Sequence, residues 1–273
     1  MQTGSKQDPS FDHPEYDDIV EGYDDFRSKS DPIWWLEVNN TSLYVPPIVR
    51  GKRVLELACG SGFYSYELAR WGASHVLAVD LCEAMLTKAR GLPEGKELHG
   101  QRVKFQIADC TKPAVLEGAP FDVVFSAYYL PTAIDRATLT EYYRMAHVNL
   151  AEGGSFFSVV APPSEDHVAY FDRERWAVGE TGISSVRELW KEIEGGITYR
   201  NKIISKDGGK GFTYFYGHRL NKSIYEAAAR DAGFTRSPID WLHLYPPGEP
   251  IDSIPRVRKQ ILCPDFGLQV VRK

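Results

Sequence analysis

Residues 54–63 read VLELACGSGF: an apolar strand runs into an acid and then into a loop carrying Gly60 and Gly62. A glycine-rich turn after a strand brings backbone close to a ligand, and a helix N-terminus beyond it offers free N–H groups to an anion. Several nucleotides use such turns, so the surrounding residues must choose among them. A dinucleotide fingerprint wants G-x-G-x-x-G, but Ser65 stands at the third glycine position. No GK[ST] follows, so a P-loop is absent. Glu56 beside the loop would repel a pyrophosphate.

Outward from this stretch the chain alternates strand and helix. RVLEL is followed by a helix over FYSYELARWG, HVLAVD by one over CEAMLTKAR, and then come VKFQIAD and FDVVFSA. A helix from about Thr138 to Leu150 leads into SFFSVVA. Short strands that are apolar on both faces predict a parallel sheet covered on both sides, a doubly wound α/β fold. Before it, Tyr16–Phe26 has helical spacing, and Asp31-Pro32 opens a second helix. After it, residues 164–196 read as one or two helices (YFDRERWAV, SVRELWKEI). ITYRNKIIS and GFTYFYGHR then flank a turn at 206–210 and predict a hairpin. KSIYEAAARDAGF is a helix, with last strands near PIDWLHL and FGLQVVRK.

Ligands of a doubly wound sheet lie beyond the carboxyl ends of its strands. Three acids fall there: Glu56, Asp80 and Asp109. They suit a zwitterion bearing a ribose and an adenine: one carboxylate faces an ammonium, one accepts both ribose hydroxyls, one accepts from the adenine amino group. Each such charged hydrogen bond contributes about 1.5–3 kcal/mol.

ELACGSGF…AVDLCEAMLTKAR…VKFQIADC…FDVVFSAYYL resembles the class I S-adenosylmethionine-dependent methyltransferases over roughly residues 50–160, and Ala232-Gly233-Phe234 and the terminal strand are also similar. The resemblance implies a mostly parallel seven-stranded Rossmann-like sheet with N-terminal helices and an inserted helix/hairpin lid. It divides one domain, 1–273, into cap helices (1–50), a cofactor-binding core (51–161), a substrate lid (162–220) and a C-terminal core (221–273). It implies that Glu56, Ala58, Gly60 and Gly62 form the methionine-side loop, and that Asp80 holds the ribose with Leu81 and Met85 against the adenosine. Asp109 and Cys110 would flank the adenine, Ser126 would begin the segment facing the sulfonium, and Tyr23 would close over the cofactor. Ala58 departs from the family, which usually has glycine there. Each residue also has a plainer reading: Asp80 as a helix N-cap, Glu56 as a backbone partner, Asp109 as a turn acid, Cys110 as packing.

The implied cofactor is S-adenosylmethionine, leaving as S-adenosylhomocysteine, and the implied reaction is methyl transfer to an O, N, S or C atom. Tyr128 and His218 are the substrate-side candidates, and no residue is assigned as catalytic. Asn-Pro-Pro-Tyr, the signature of many adenine and glutamine N-methylating relatives, is replaced by SAYYLPT after the fourth strand. With a net charge of −5, this argues for a small-molecule acceptor and against nucleic acid; the family resemblance implies a setting in specialised metabolism. Two rivals keep the fold: a non-methylating rearrangement or cyclisation, and a non-catalytic partner subunit. Cys59, Cys82, Cys110 and Cys263 form no CxxC pair, so neither a metal site nor a disulfide framework is expected. The polar, acidic N-terminal stretch and the lack of a long apolar run predict a cytoplasmic protein off the membrane.

Overall fold

The computed structural model describes residues 32–95, 97–160, 185–203, 213–235, 238–243 and 267–273. Tyr23, the acidic stretch around it, YFDRERWAV and the turn at 206–210 lie outside these.

The chain enters through helix α1 (Pro32–Tyr44), which begins on the proline that Asp31-Pro32 supplies, and a single turn α2 (Pro46–Val49). Then β1 (Arg53–Leu57), α3 (Phe63–Arg70), β2 (His75–Asp80), α4 (Glu83–Gly91), β3 (Val103–Ile107), β4 (Phe121–Ala127), α5 (Arg136–Asn149) and β5 (Leu150–Val160) follow. After β6 (Ser185–Ile193), β7 (Gly196–Ile203) and β8 (Thr213–Leu220) come α6 (Lys222–Asp231), β9 (Asp240–His243) and β10 (Gly267–Arg272).

Seven strands form one sheet in the order β3-β2-β1-β4-β5-β10-β9. β3, β2, β1, β4 and β5 are parallel, and β10 pairs antiparallel with β5. The period-two alternation decides which side each residue faces. Leu55 and Leu57 of β1 join a core with Leu139, Tyr143, Tyr225 and Ala228 of α5 and α6. Val54 joins the opposite core with Tyr64 and Leu68 of α3 and Leu86 and Ala89 of α4. The lateral progression of the strands reverses between the parallel neighbours β1 and β4: β2 and β3 follow on one side of β1, β5 on the far side of β4. This is the switch point, and it opens a crevice at the carboxyl ends.

The insertion departs from the helix/hairpin reading. β7 and β8 pair antiparallel as the hairpin reading required, but SVRELWKEI is strand β6, completing a three-stranded sheet in the order β6-β7-β8. Val186, Leu189, Trp190 and Ile193 carry helical spacing. The register shift between Leu189 and Lys191 accounts for it: an irregularity breaks the alternation in mid-strand, and the pairs with β7 override the local pattern.

Candidate active site

The β1–α3 loop is built against the end of β2. Cys59 N–H donates to Val79 O at 3.0 Å, and Gly60 N–H donates to Asp80 Oδ2 at 2.7 Å. The other oxygen of Asp80 accepts from Cys82 N–H at 2.9 Å. Asp80 therefore ties two strand-to-helix loops together. It is not the N-cap of α4; that place belongs to Cys82, whose Sγ accepts from Met85 N–H at 3.3 Å.

The two glycines do different work. Gly60 has φ +53° with open space where a Cβ would project, so it leaves the loop bare. Gly62 has φ +83°, and a Cβ there would lie 2.7 Å from Ala89 Cβ and 3.1 Å from the Phe105 ring. Its lack of a side chain lets α3 start close against α4 and β3, a packing demand rather than an opening for a ligand. Ala58, the residue that replaces the family's glycine, sits at φ +53°, a left-handed conformation that costs a non-glycine residue about 1–2 kcal/mol.

A pocket opens beyond the strand ends, lined by Ala58, Gly60, Asp80, Leu81, Met85, Asp109, Cys110 and Tyr128, all singled out in the sequence. Ala127, Tyr129 and Tyr142 contribute a wall from β4, its following turn and α5, and Thr111 and Thr132 also line it. Tyr129 and Tyr142 stack with centroids 4.3 Å apart, and Tyr129 OH donates to Cys110 O at 2.6 Å. Burial raises both phenol pKa values, so they stay protonated. Tyr142 sits on the inward stripe of α5 and reads as ordinary core, so its sequence pattern carries no pocket signal.

Asp109 is held by Thr111, whose N–H donates to Oδ1 at 3.0 Å, and pairs with Lys112 at 2.7 Å. Burial alone would raise its carboxyl pKa, but the Lys112 and Thr111 bonds outweigh it and hold it below the ordinary value. Cys110 is buried and its thiol is pushed up to about 12, chiefly by desolvation, which suits packing and not nucleophilic chemistry. Cys59, Cys82 and Cys110 are free thiols, and among the described residues no cluster of acids, histidines and cysteines could hold a metal.

Four expected residues do not line this pocket. Glu56 points to the α3 side of the sheet, 2% exposed, and accepts from Ser65 Oγ. Gly62 serves helix packing as above. Ser126 is wholly buried and bonds Ser158 Oγ at 2.8 Å across the β4–β5 pair. His218, on β8, is 3% exposed with Nδ1 3.0 Å from Thr198 Oγ1. Desolvation lowers its pKa to about 4, with Lys191 acting in the same direction and Asp135 against it.

Glu37 carries no sequence signal, yet it lies at the edge of this site. It projects from α1, is 3% exposed, and accepts hydrogen bonds from both Tyr64 OH and Tyr128 OH. Tyr128 itself has φ +60°, a left-handed conformation rare for an aromatic residue.

The strand order, the single reversed strand β10 and a pocket at the carboxyl ends define a Rossmann-like class I methyltransferase fold. Residues 54–154 match the model of a family described as a methyltransferase domain. A ubiquinone biosynthesis O-methyltransferase of Hahella chejuensis is 35% identical over 114 residues, 40% of this chain and 44% of that protein. A tRNA U34 carboxymethyltransferase of Pseudomonas fluorescens is 29% identical over 147 residues, 52% of this chain and 41% of its own. The chain thus spans less than half the length of these two relatives. The solved S-adenosylmethionine-dependent methyltransferase from Mesorhizobium loti matches with a TM-score of 0.58 at 23% identity, covering 87% of this chain and all of that one. Residues 54–154 thus match a methyltransferase-domain family, within a fold shared with solved S-adenosylmethionine-dependent methyltransferases. Among the described residues no helix is long and apolar enough to cross a membrane.

Proposed function

We infer that this protein transfers the methyl group of S-adenosylmethionine to an O, N, S or C atom of a small organic acceptor. The observation that carries the reading is one pocket with two unlike walls: the acids Asp80 and Asp109 on the β2–β3 side, and the tyrosines Tyr128, Tyr129 and Tyr142 on the β4 side. Three inter-strand steps of about 4.8 Å separate β3 from β4 in the sheet order, roughly 14 Å. That reach suits an adenosyl group laid across the strand ends with its sulfur toward β4.

In this reading Asp80, oriented by Gly60 and Cys82 N–H, accepts the ribose hydroxyls. Leu81 and Met85 cover the adenosine, and Asp109 and Cys110 border the adenine. Ala58 and the open Gly60 leave room for the methionine portion, while Glu56 and Gly62 support that loop from behind. The bound cofactor supplies an activated methyl on a positively charged sulfur. The chain's own residues align an acceptor with it and exclude water, and alignment alone can contribute up to about 7–11 kcal/mol. The pocket is mostly apolar with a few polar anchors, as small-molecule sites are, and a net charge of −5 disfavours a polyanionic acceptor.

Incubation with methyl-labelled S-adenosylmethionine and a panel of small phenols, amines and thiols, beside tRNA, tests this directly. The expected result is S-adenosylhomocysteine formation with a small acceptor. Labelling of the RNA alone would overturn the acceptor class.

A further inference from the structure

We propose that Glu37 is a positioning residue for methyl transfer, a buried carboxylate on α1 that clamps Tyr128 in place against the pocket. The proposal rests on the methyltransferase reading above for its kinetic consequence, but not for its geometry. Three observations meet at this residue. Glu37 is 3% exposed, in a setting where an ionisable group is costly unless well bonded. Both of its oxygens are engaged, Oε1 by Tyr64 OH from α3 and Oε2 by Tyr128 OH from the turn after β4. Tyr128, in turn, lines the pocket with its backbone at φ +60°.

A bulky residue holds such a conformation only where its surroundings over-determine it. Two contacts hold Tyr128 at opposite ends. Its N–H donates to Val159 O at 2.9 Å, which continues the β4–β5 ladder, and its hydroxyl is held by Glu37. The ladder bond fixes the backbone start of the turn; the carboxylate fixes the far end of the side chain. Tyr64 anchors the carboxylate from the opposite side and is itself packed against Phe125 of β4, with ring centroids 5.1 Å apart. The clamp thus joins α1, α3 and the β4 turn around one acid, making α1 part of the pocket's support. Since β4 is the strand where the sulfur would lie, loosening Tyr128 should disturb alignment of the acceptor more than grip on the adenosine.

The test uses the full chain with Glu37→Ala, Glu37→Gln, Tyr128→Phe and Tyr64→Phe. S-adenosylhomocysteine affinity is measured by calorimetry, turnover with whichever panel acceptor the wild type methylates, and Tyr128 geometry by crystal structures of the Glu37 variants. Expected for Glu37→Ala is a fall in kcat of roughly tenfold to a hundredfold with S-adenosylhomocysteine affinity within about threefold, and Tyr128 leaving positive φ. Tyr128→Phe should match it without adding to it in the double variant, and Glu37→Gln, which still has an oxygen to accept and an amide of the same shape, should recover most of the loss. Unchanged kcat in folded Glu37→Ala, or Tyr128 unmoved in its structure, would overturn the proposal. If Glu37→Ala does not fold, Tyr128→Phe decides in its place: a fall in kcat with S-adenosylhomocysteine affinity kept supports the clamp, and an unchanged kcat overturns it. Should the wild type bind S-adenosylhomocysteine yet methylate nothing, the transfer reading fails, and the position of Tyr128 in the variant structures still judges the clamp.

Discussion

The two walls of the pocket are held by different means. On the β1–β3 side, Asp80 is fixed by backbone N–H groups of loops next to it, and Asp109 by the residues two and three further on. On the β4 side, Tyr128 is fixed by Glu37, 91 residues away, and Tyr129 by the carbonyl of Cys110, 19 away. The first wall draws on contacts no more than 20 residues apart, within adjacent strand–loop units; the second reaches back 91 residues and is complete only once α1 has docked.

The largest effect expected from breaking the first wall is at Gly62. Gly62→Ala meets both the left-handed penalty and overpacking against Ala89 and Phe105, and should destabilise by about 2–4 kcal/mol in denaturant unfolding. The same change at Gly60 meets no neighbour, so it should cost about 1–2 kcal/mol, from the backbone alone. Equal losses at the two positions would erase the distinction between packing and opening.

Behind the second wall, β8 packs against the Leu130–Thr132 turn, and its His218 supplies a pH test. Burial and Lys191 hold its pKa near 4, below the ordinary value, with Asp135 opposing. Between about pH 6.5 and 4 the unfolded chain takes up a proton that the native histidine refuses, so stability is lost as the pH falls through that window. His218→Gln should flatten this acid loss in urea unfolding at pH 7 and pH 5. A variant that loses stability as steeply as the wild type would show that His218 is not the group responsible.

Asp80→Asn tests the first wall by ligand. It should weaken S-adenosylhomocysteine binding by about 1.5–3 kcal/mol in calorimetry, through loss of a charged acceptor. The smallest effect is expected at Ala58, where Ala58→Gly relieves the left-handed alanine but gives the unfolded chain more freedom. The two nearly cancel, so stability should change by at most about 1 kcal/mol.

The same contrast explains what the sequence could reveal. β1 to β3 and their helices are legible because each is a short apolar run closed by its own turn residues, and Gly60, Asp80 and Asp109 follow at those turns. Ala58, Leu81, Met85 and Cys110, which line the same pocket, are named only through the family resemblance, and Tyr128 as a substrate-side candidate. For Glu56 the position near the end of β1 is legible in the sequence but the facing is not: alternation puts it with Val54, under α3. β6 was hidden by helical spacing that a register shift produces. Glu37 was illegible for the plainest reason, since Tyr64 and Tyr128, 27 and 91 residues away, give an isolated glutamate its meaning.

The most direct measurement is a crystal structure with S-adenosylhomocysteine bound. The expected density crosses the strand ends, with ribose hydroxyls on Asp80, adenine beside Asp109 and Cys110, and sulfur toward Tyr128. Density at any other surface, or crystals that stay empty at saturating ligand, would contradict the account.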